Sequence, residues 1–111
     1  MSEIAVANVA KKQLGIKYTC GGADPKTGFD SLGLVVYCFK QAVGMSLYSG
    51  NLIKSGKVVA QTNLKPADLI FTNDLHVGIY IGNGEYIHAP KPGEVVKISK
   101  VTTFYAGRRL L

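Results

Sequence analysis

His76-Val77-Gly78-Ile79-Tyr80-Ile81-Gly82-Asn83-Gly84-Glu85-Tyr86-Ile87-His88 reads as two short strands around a glycine-asparagine-glycine turn. The β-branched and aromatic residues suit a pleated surface, and the turn residues accept the positive φ of a tight hairpin. Working outward from it, Leu69–Thr72 precedes this pair and Val95–Lys100 and Phe104–Arg109 follow, each a similar run bounded by turn residues. With Val77–Ile81 and Glu85–His88 these make five strands. Their connections are too short for crossover helices, so the sheet is antiparallel.

Upstream of Pro66 the period is helical. Ile4, Ala7, Ala10 and Leu14 repeat at helix spacing over Glu3–Leu14, with Ser2 placed to cap the start and Gly15 at the stop. A second helix spans Ser31–Val43, with an apolar face of Leu32, Val35, Val36 and Phe39, Asp30 as N-cap and Gly44 just past the end. Between them, Cys20–Gly28 is irregular by composition, and a short helical turn is expected near Leu52–Ser55. Helices first and strands afterwards define an α+β fold, N-terminal helices packed on a five-stranded antiparallel sheet.

A chain of 111 residues that is 47% hydrophobic and 18% charged has the length and composition of one folded domain, residues 1–111. No apolar run approaches the roughly 20 residues of a membrane helix. Met1-Ser2-Glu3 opens acidic, unlike a secretory leader, so no signal peptide is read and the chain is expected to start mature or without its leader. A net charge of +6 favours an anionic partner. The lysines are scattered and no stacking motif accompanies them, which argues against nucleic acid. Two cysteines make neither a disulfide framework nor a zinc site, and no metal or cofactor is expected. Cys20 and Cys38 are read as small buried apolar residues.

Both histidines of the chain, His76 and His88, fall on the one hairpin. A two-residue Asn83-Gly84 turn would set His88 opposite Ile79 and put the imidazoles on opposite faces. A three-residue Gly82-Asn83-Gly84 loop sets His88 opposite Gly78, with His76 a same-face diagonal neighbour at a Cβ separation of roughly 7–8 Å or less. Cooperation between the histidines therefore calls for the longer loop.

The second cluster is Tyr18-Thr19-Cys20-Gly21-Gly22 followed by Gly28-Phe29-Asp30-Ser31-Leu32-Gly33-Leu34. Ser31 opens a helix, where free N–H groups and the helix dipole favour an anion. A cysteine there would have its thiolate stabilised below the free pKa of about 8.5; a serine gains far less.

These residues resemble the NlpC-type cell-wall peptidases, whose motif reads Y-x-x-GG and then FDCSGL or FDCLGL. The likeness continues through Leu64-Lys65-Pro66-Ala67-Asp68-Leu69-Ile70-Phe71, the His76–His88 hairpin with Ala89-Pro90, and Tyr105-Ala106-Gly107-Arg108-Arg109. It covers nearly the whole chain in order. The resemblance implies a compact papain-like fold and metal-free cleavage of peptidoglycan stem peptides, commonly at the γ-D-glutamyl bond to a diamino acid, by a cysteine, a histidine and a polar residue. By position the nucleophile falls on Ser31, the general base on His76 and the orienting residue on His88. The oxyanion would be held by the Ser31 backbone N–H with Tyr18, which also falls where the family contacts substrate. Peptidoglycan peptides are then the partner, at the cell surface or secreted, and a monomer is expected.

Ser31 stands where this family has cysteine, and its surroundings match. Three explanations compete: an introduced Cys→Ser change, a natural loss that keeps the groove for binding wall peptides or a protein partner, and a working serine peptidase. Retention of both histidines and Tyr18 favours the first over the second, with the third last. Acyl transfer by a related papain-like fold is weaker, since those relatives place histidine before cysteine. Cys38 lies seven residues beyond Ser31, about 10.5 Å along a helix, and cannot substitute for it. Asp30 near the site is read as a cap, Gly21, Gly22 and Gly33 as places of close backbone approach to substrate or the first helix, and Asp68 as structural.

Overall fold

A computed structural model describes residues 2–111. Two α-helices, α1 (Ser2–Lys12) and α2 (Ser31–Val43), pack on the sheet. Eight short strands follow the chain: β1 (Ala23–Asp24), β2 (Gly28–Phe29), β3 (Lys57–Val58), β4 (Leu69–Asn73), β5 (His76–Gly82), β6 (Glu85–His88), β7 (Lys97–Lys100) and β8 (Ala106–Arg109). β1 and β2 form a small hairpin, and the others form one antiparallel sheet in the order β3-β8-β4-β5-β6-β7.

The sheet thus has six strands among the described residues, not five. β3 escaped the sequence because two residues carry no period; it exists through its pairing of Lys57 with Arg109 and Val58 with Arg108. The expected helical turn is a 3₁₀ segment at Ser49–Lys54. The irregular loop contains β1, and the last two strands begin later than expected, at Lys97 and Ala106.

α2 matches its expected bounds because both ends are signalled. Asp30 Oδ1 accepts the Gly33 N–H at 2.7 Å, and Gly44 closes the helix in the left-handed region at φ 69°. Its buried face is shifted from the expected one, which holds at Val35 and Phe39 but not at Leu32 and Val36. Leu34, Val35, Cys38 and Phe39 lie in the core with Phe29, Leu69, Phe71, Val77 and Ile79, while Leu32 and Val36 are half-buried. α1 is rotated likewise: Val6, Ala7 and Ala10 are buried, whereas Ile4 and Leu14 are exposed. Ala7 and Ala10 are buried as expected, and the face turns so that Val6 joins them in place of Ile4 and Leu14. Ser2 lies within the helix rather than capping it from outside.

Asp68 is buried and clamped. Arg109 donates to both its oxygens, Nε to Oδ1 and Nη2 to Oδ2, each at 2.8 Å, and Lys65 N–H donates to Oδ2. The paired ion and its hydrogen bonds tie the turn before β4 to the C-terminal strand.

Candidate active site

Local backbone bonds set where α2 begins. Residues 15–18 lie beside 94–96 through Gly15 N–H to Val96 O, Val96 N–H to Ile16 O and Tyr18 N–H to Glu94 O. Phe29 N–H donates to Lys17 O and Thr19 N–H to Phe29 O, so Phe29-Asp30-Ser31 is delivered at a fixed height. Asp30 then binds twice, to Gly33 N–H and, through Oδ2, to Gly21 N–H at 2.9 Å. Gly33 has no room for a Cβ because the Gly22 carbonyl rests on it; the close approach is of the loop to α2, not to α1. Ser31 is left as the first helical residue, where a helix has no internal acceptor for its N–H.

The buried Ser31 hydroxyl donates to the Leu75 carbonyl at 3.4 Å. Leu75 precedes His76 in the tip between β4 and β5, which Asn73 braces: its Oδ1 accepts Leu75 N–H at 2.8 Å and His76 N–H at 3.0 Å. Position 31 and His76 are therefore brought together by the tip. His76 Nε2 and His88 Nδ1 share a hydrogen bond at 2.8 Å, with the rings edge to face at 5.0 Å. His88 Nε2 makes a further bond of 2.8 Å with Ser99 Oγ, and its ring stacks on Tyr86 at 4.4 Å. The bonded run His76, His88, Ser99 thus crosses β5, β6 and β7, and Ser31 at the start of α2 joins it only through the carbonyl of Leu75, the residue before His76.

The hairpin reaches this arrangement by a route the two alternatives did not contain. Gly82 pairs with Glu85 across a two-residue Asn83-Gly84 turn, both residues having positive φ, 56° and 73°. That turn was expected to separate the histidines. A one-residue register shift between Tyr80 and Gly82 leaves Ile81 as an extra residue, after which Tyr80 faces Tyr86 and Ile79 faces Ile87. Continued one step, that register sets Gly78 opposite His88. A bulge restores what the turn alone would have lost.

Burial lowers the pKa of His76. His88 falls from 6.5 to about 4, first through burial, then through the neighbouring His76 and Lys97, with Glu94 opposing. Both shifts favour neutral rings at neutral pH. Tyr18 is half-buried, and its phenol is pushed up by burial, then by the charges of Asp30 and Cys20. Its hydroxyl makes no hydrogen bond to Ser31 among the described residues. An open cleft of about 320 Å³ lies against the start of α2, lined by Gly21, Asp30, Leu32, Val36, Leu47 and Tyr48; it borders position 31 through Asp30 and Leu32, and Tyr18, His76 and His88 are not in its lining. The half-buried side of α2 faces this groove.

Cys20 is exposed, contrary to expectation, because the loop turns outward; Cys38 is buried, its thiol pushed up to about 12 by desolvation, and both are free. Among the described residues no three metal-ligating side chains gather, and no helix is long and apolar enough to cross a membrane. A hollow of about 360 Å³ around the Asp68–Arg109 pair shares no residue with the site. The sequence reading passed over Ser99, Asn73 and the Leu75 carbonyl. Only Ser99 left a signal, a small hydroxyl in a strand that pairs with the His88 strand.

A helix start facing a histidine pair on an antiparallel sheet is the papain-like arrangement. The NlpC/P60 family model matches residues 15–111, and the chain belongs to that family. It is 37% identical over 112 residues to the Gamma-DL-glutamyl hydrolase of Bacillus subtilis, covering 94% of this chain and 27% of the relative. Against Murein DD-endopeptidase MepH of Escherichia coli the identity is 34% over 109 residues, with 88% and 40% covered. The chain therefore spans well under half the length of these relatives. The crystal structure of the NlpC/p60 domain of the peptidoglycan hydrolase SagA superposes with a TM-score of 0.90 at 32% identity, covering 97% of this chain and 98% of that one.

Proposed function

We propose that the chain takes peptidoglycan stem peptides into the cleft beside α2, at a cysteine-peptidase site whose nucleophile is replaced by Ser31, and that it cleaves them negligibly as it stands. The observation that carries this is the hydrogen-bonded run from His76 through His88 to Ser99, set beside position 31 by the Ser31 hydroxyl's bond to the Leu75 carbonyl next to His76 and kept although the nucleophile is a serine. The name of one relative, a murein DD-endopeptidase, supports a wall-peptide substrate, and that of the other, a γ-DL-glutamyl hydrolase, is in keeping with a γ-glutamyl bond as the bond cut. Such a substrate places the protein at the cell surface or in the secreted fraction.

With cysteine at position 31, His76 takes the thiol proton, the thiolate attacks the scissile carbonyl, and His76 returns the proton to the leaving amine. His88 orients His76. The N–H of residue 31, with Tyr18 closing from the flank, holds the oxyanion. A serine hydroxyl has no comparable route, because it is far less acidic than a thiol and His76 leans on a neutral imidazole rather than on a carboxylate that would stabilise the imidazolium.

The intact neighbourhood favours an introduced Cys→Ser change over a natural loss that keeps the groove for binding, and the codon at position 31 of the source gene distinguishes them. Ser31→Cys is the functional test. The revertant is expected to release dipeptide and shortened-stem fragments from purified wall at a rate at least a hundredfold above the serine form (about 2.7 kcal/mol of barrier). Inactivity of a folded revertant that still binds wall peptides would establish the second reading, a binding module, for which the serine itself is the argument.

A further inference from the structure

We propose that Ser99 is a positioning residue: by accepting the Nε2–H of His88 it holds the two histidines in the one tautomer that leaves His76 Nδ1 free as the base. This rests on His76 being the base in the proposed reaction. Two neutral imidazoles joined through His76 Nε2 and His88 Nδ1 share a single proton in that bond. If His76 holds it, Nε2–H donates to His88, and His76 Nδ1 keeps its lone pair for the nucleophile. If His88 holds it, His76 must carry its own proton on Nδ1 and can accept none.

What decides between the two is the far nitrogen of His88. In the productive arrangement that nitrogen carries a proton and needs an acceptor, and Ser99 Oγ stands 2.8 Å from it. In the other it is a bare lone pair that needs a donor. A serine hydroxyl can serve either way, so geometry around it matters. Ser99 lies on the edge strand β7 opposite Tyr86, half-exposed, and its own hydrogen is free to turn toward solvent. Stacking on Tyr86 prevents the His88 ring from swinging away from the hydroxyl. The nearby charges do not compete for the nitrogen, since Lys97 Nζ is engaged by Glu94 Oε1 at 2.8 Å.

The first measurement needs no activity. Nitrogen-15 shifts of the histidines in the Ser31 protein at pH 7.5 are expected to show Nε2 protonated and Nδ1 unprotonated in both rings. In Ser99→Ala the His88 shifts are expected to move to an averaged tautomer, and Ser99→Thr, which retains the hydroxyl, is expected to restore them. Protonated Nδ1 on His88 at the outset, or unmoved shifts in a folded Ser99→Ala, overturns the proposal. In the Ser31→Cys background, Ser99→Ala is expected to lower kcat about tenfold with KM little changed, and Ser99→Thr to recover most of it. Equal kcat with and without the hydroxyl also overturns it. Should Ser31→Cys prove inactive, the proposed function fails while the shifts still decide what Ser99 does.

Discussion

His88 is a buried histidine with both ring nitrogens engaged, and its charge state is where a single residue governs the molecule's response to pH. Its folded pKa of about 4 lies below its ordinary 6.5. Above pH 6.5 the ring is neutral folded and unfolded, and the fold loses nothing. Between 6.5 and 4 the unfolded chain binds a proton that the folded chain refuses, so stability falls as pH falls, by up to on the order of 3 kcal/mol from this ring. Below 4 the folded ring is protonated as well and the loss levels off. His76, also lowered by burial, acts in the same direction. The carboxylates titrate in the same window, so the informative quantity is a difference. His88→Gln keeps a polar partner for His76 but cannot titrate, and its unfolding free energy is expected to fall less steeply than the parent's from pH 6.5 to 4. Parallel curves from denaturant titrations would show that His88 is not held neutral.

At the scale of elements, what the sequence displays depends on whether the cause is local. α2 is legible to the residue because Asp30 and Gly44 mark its ends, and β4 to β6 because each has several β-branched or aromatic residues between turn residues. β3 is invisible since its two residues are strand only by virtue of Arg108 and Arg109, some fifty positions on. The buried stripes of α1 and α2 are shifted from the expected ones for the same reason: the neighbour chooses the face. Position 31 and the two histidines could be singled out from residue type and order, but Ser99 required the β6–β7 register, which nothing nearby encodes. Gly33 is the reverse case, a residue read correctly as a close approach but against the wrong neighbour. A methyl there would fall on the Gly22 carbonyl, backbone against helix, with no flexible side chain to give way. Gly33→Ala is expected to destabilise by roughly 1–3 kcal/mol and, in the Ser31→Cys background, to lower kcat/KM by displacing the loop that donates Gly21 N–H to Asp30. A denaturation midpoint equal to the parent's would show that the loop does not rest on the helix.

For the whole molecule the controlling quantity is charge. Thirteen lysines and arginines against seven acids leave +6, and several of the lysines stand at the sheet's outer strands, Lys57 on β3 and Lys97 and Lys100 on β7. Of the basic groups, Arg109 is neutralised by Asp68, and Lys91 and Lys97 by Glu94. The remaining charge is spread along the chain as a diffuse positive surface. Such a surface acts through long-range attraction rather than fixed contacts, and attraction of that kind is screened over about 30 Å at 0.01 M salt but about 3 Å at 1 M. An anionic wall polymer should feel it fully, whereas a short soluble stem peptide, held within the cleft, should feel it little. Retention of the Ser31 protein on purified cell wall is therefore expected to fall steeply between 0.01 M and 0.5 M salt while its affinity for an isolated stem peptide changes only a few-fold. Retention that is flat across that range would assign wall binding to the cleft alone and leave the positive surface with no part in it.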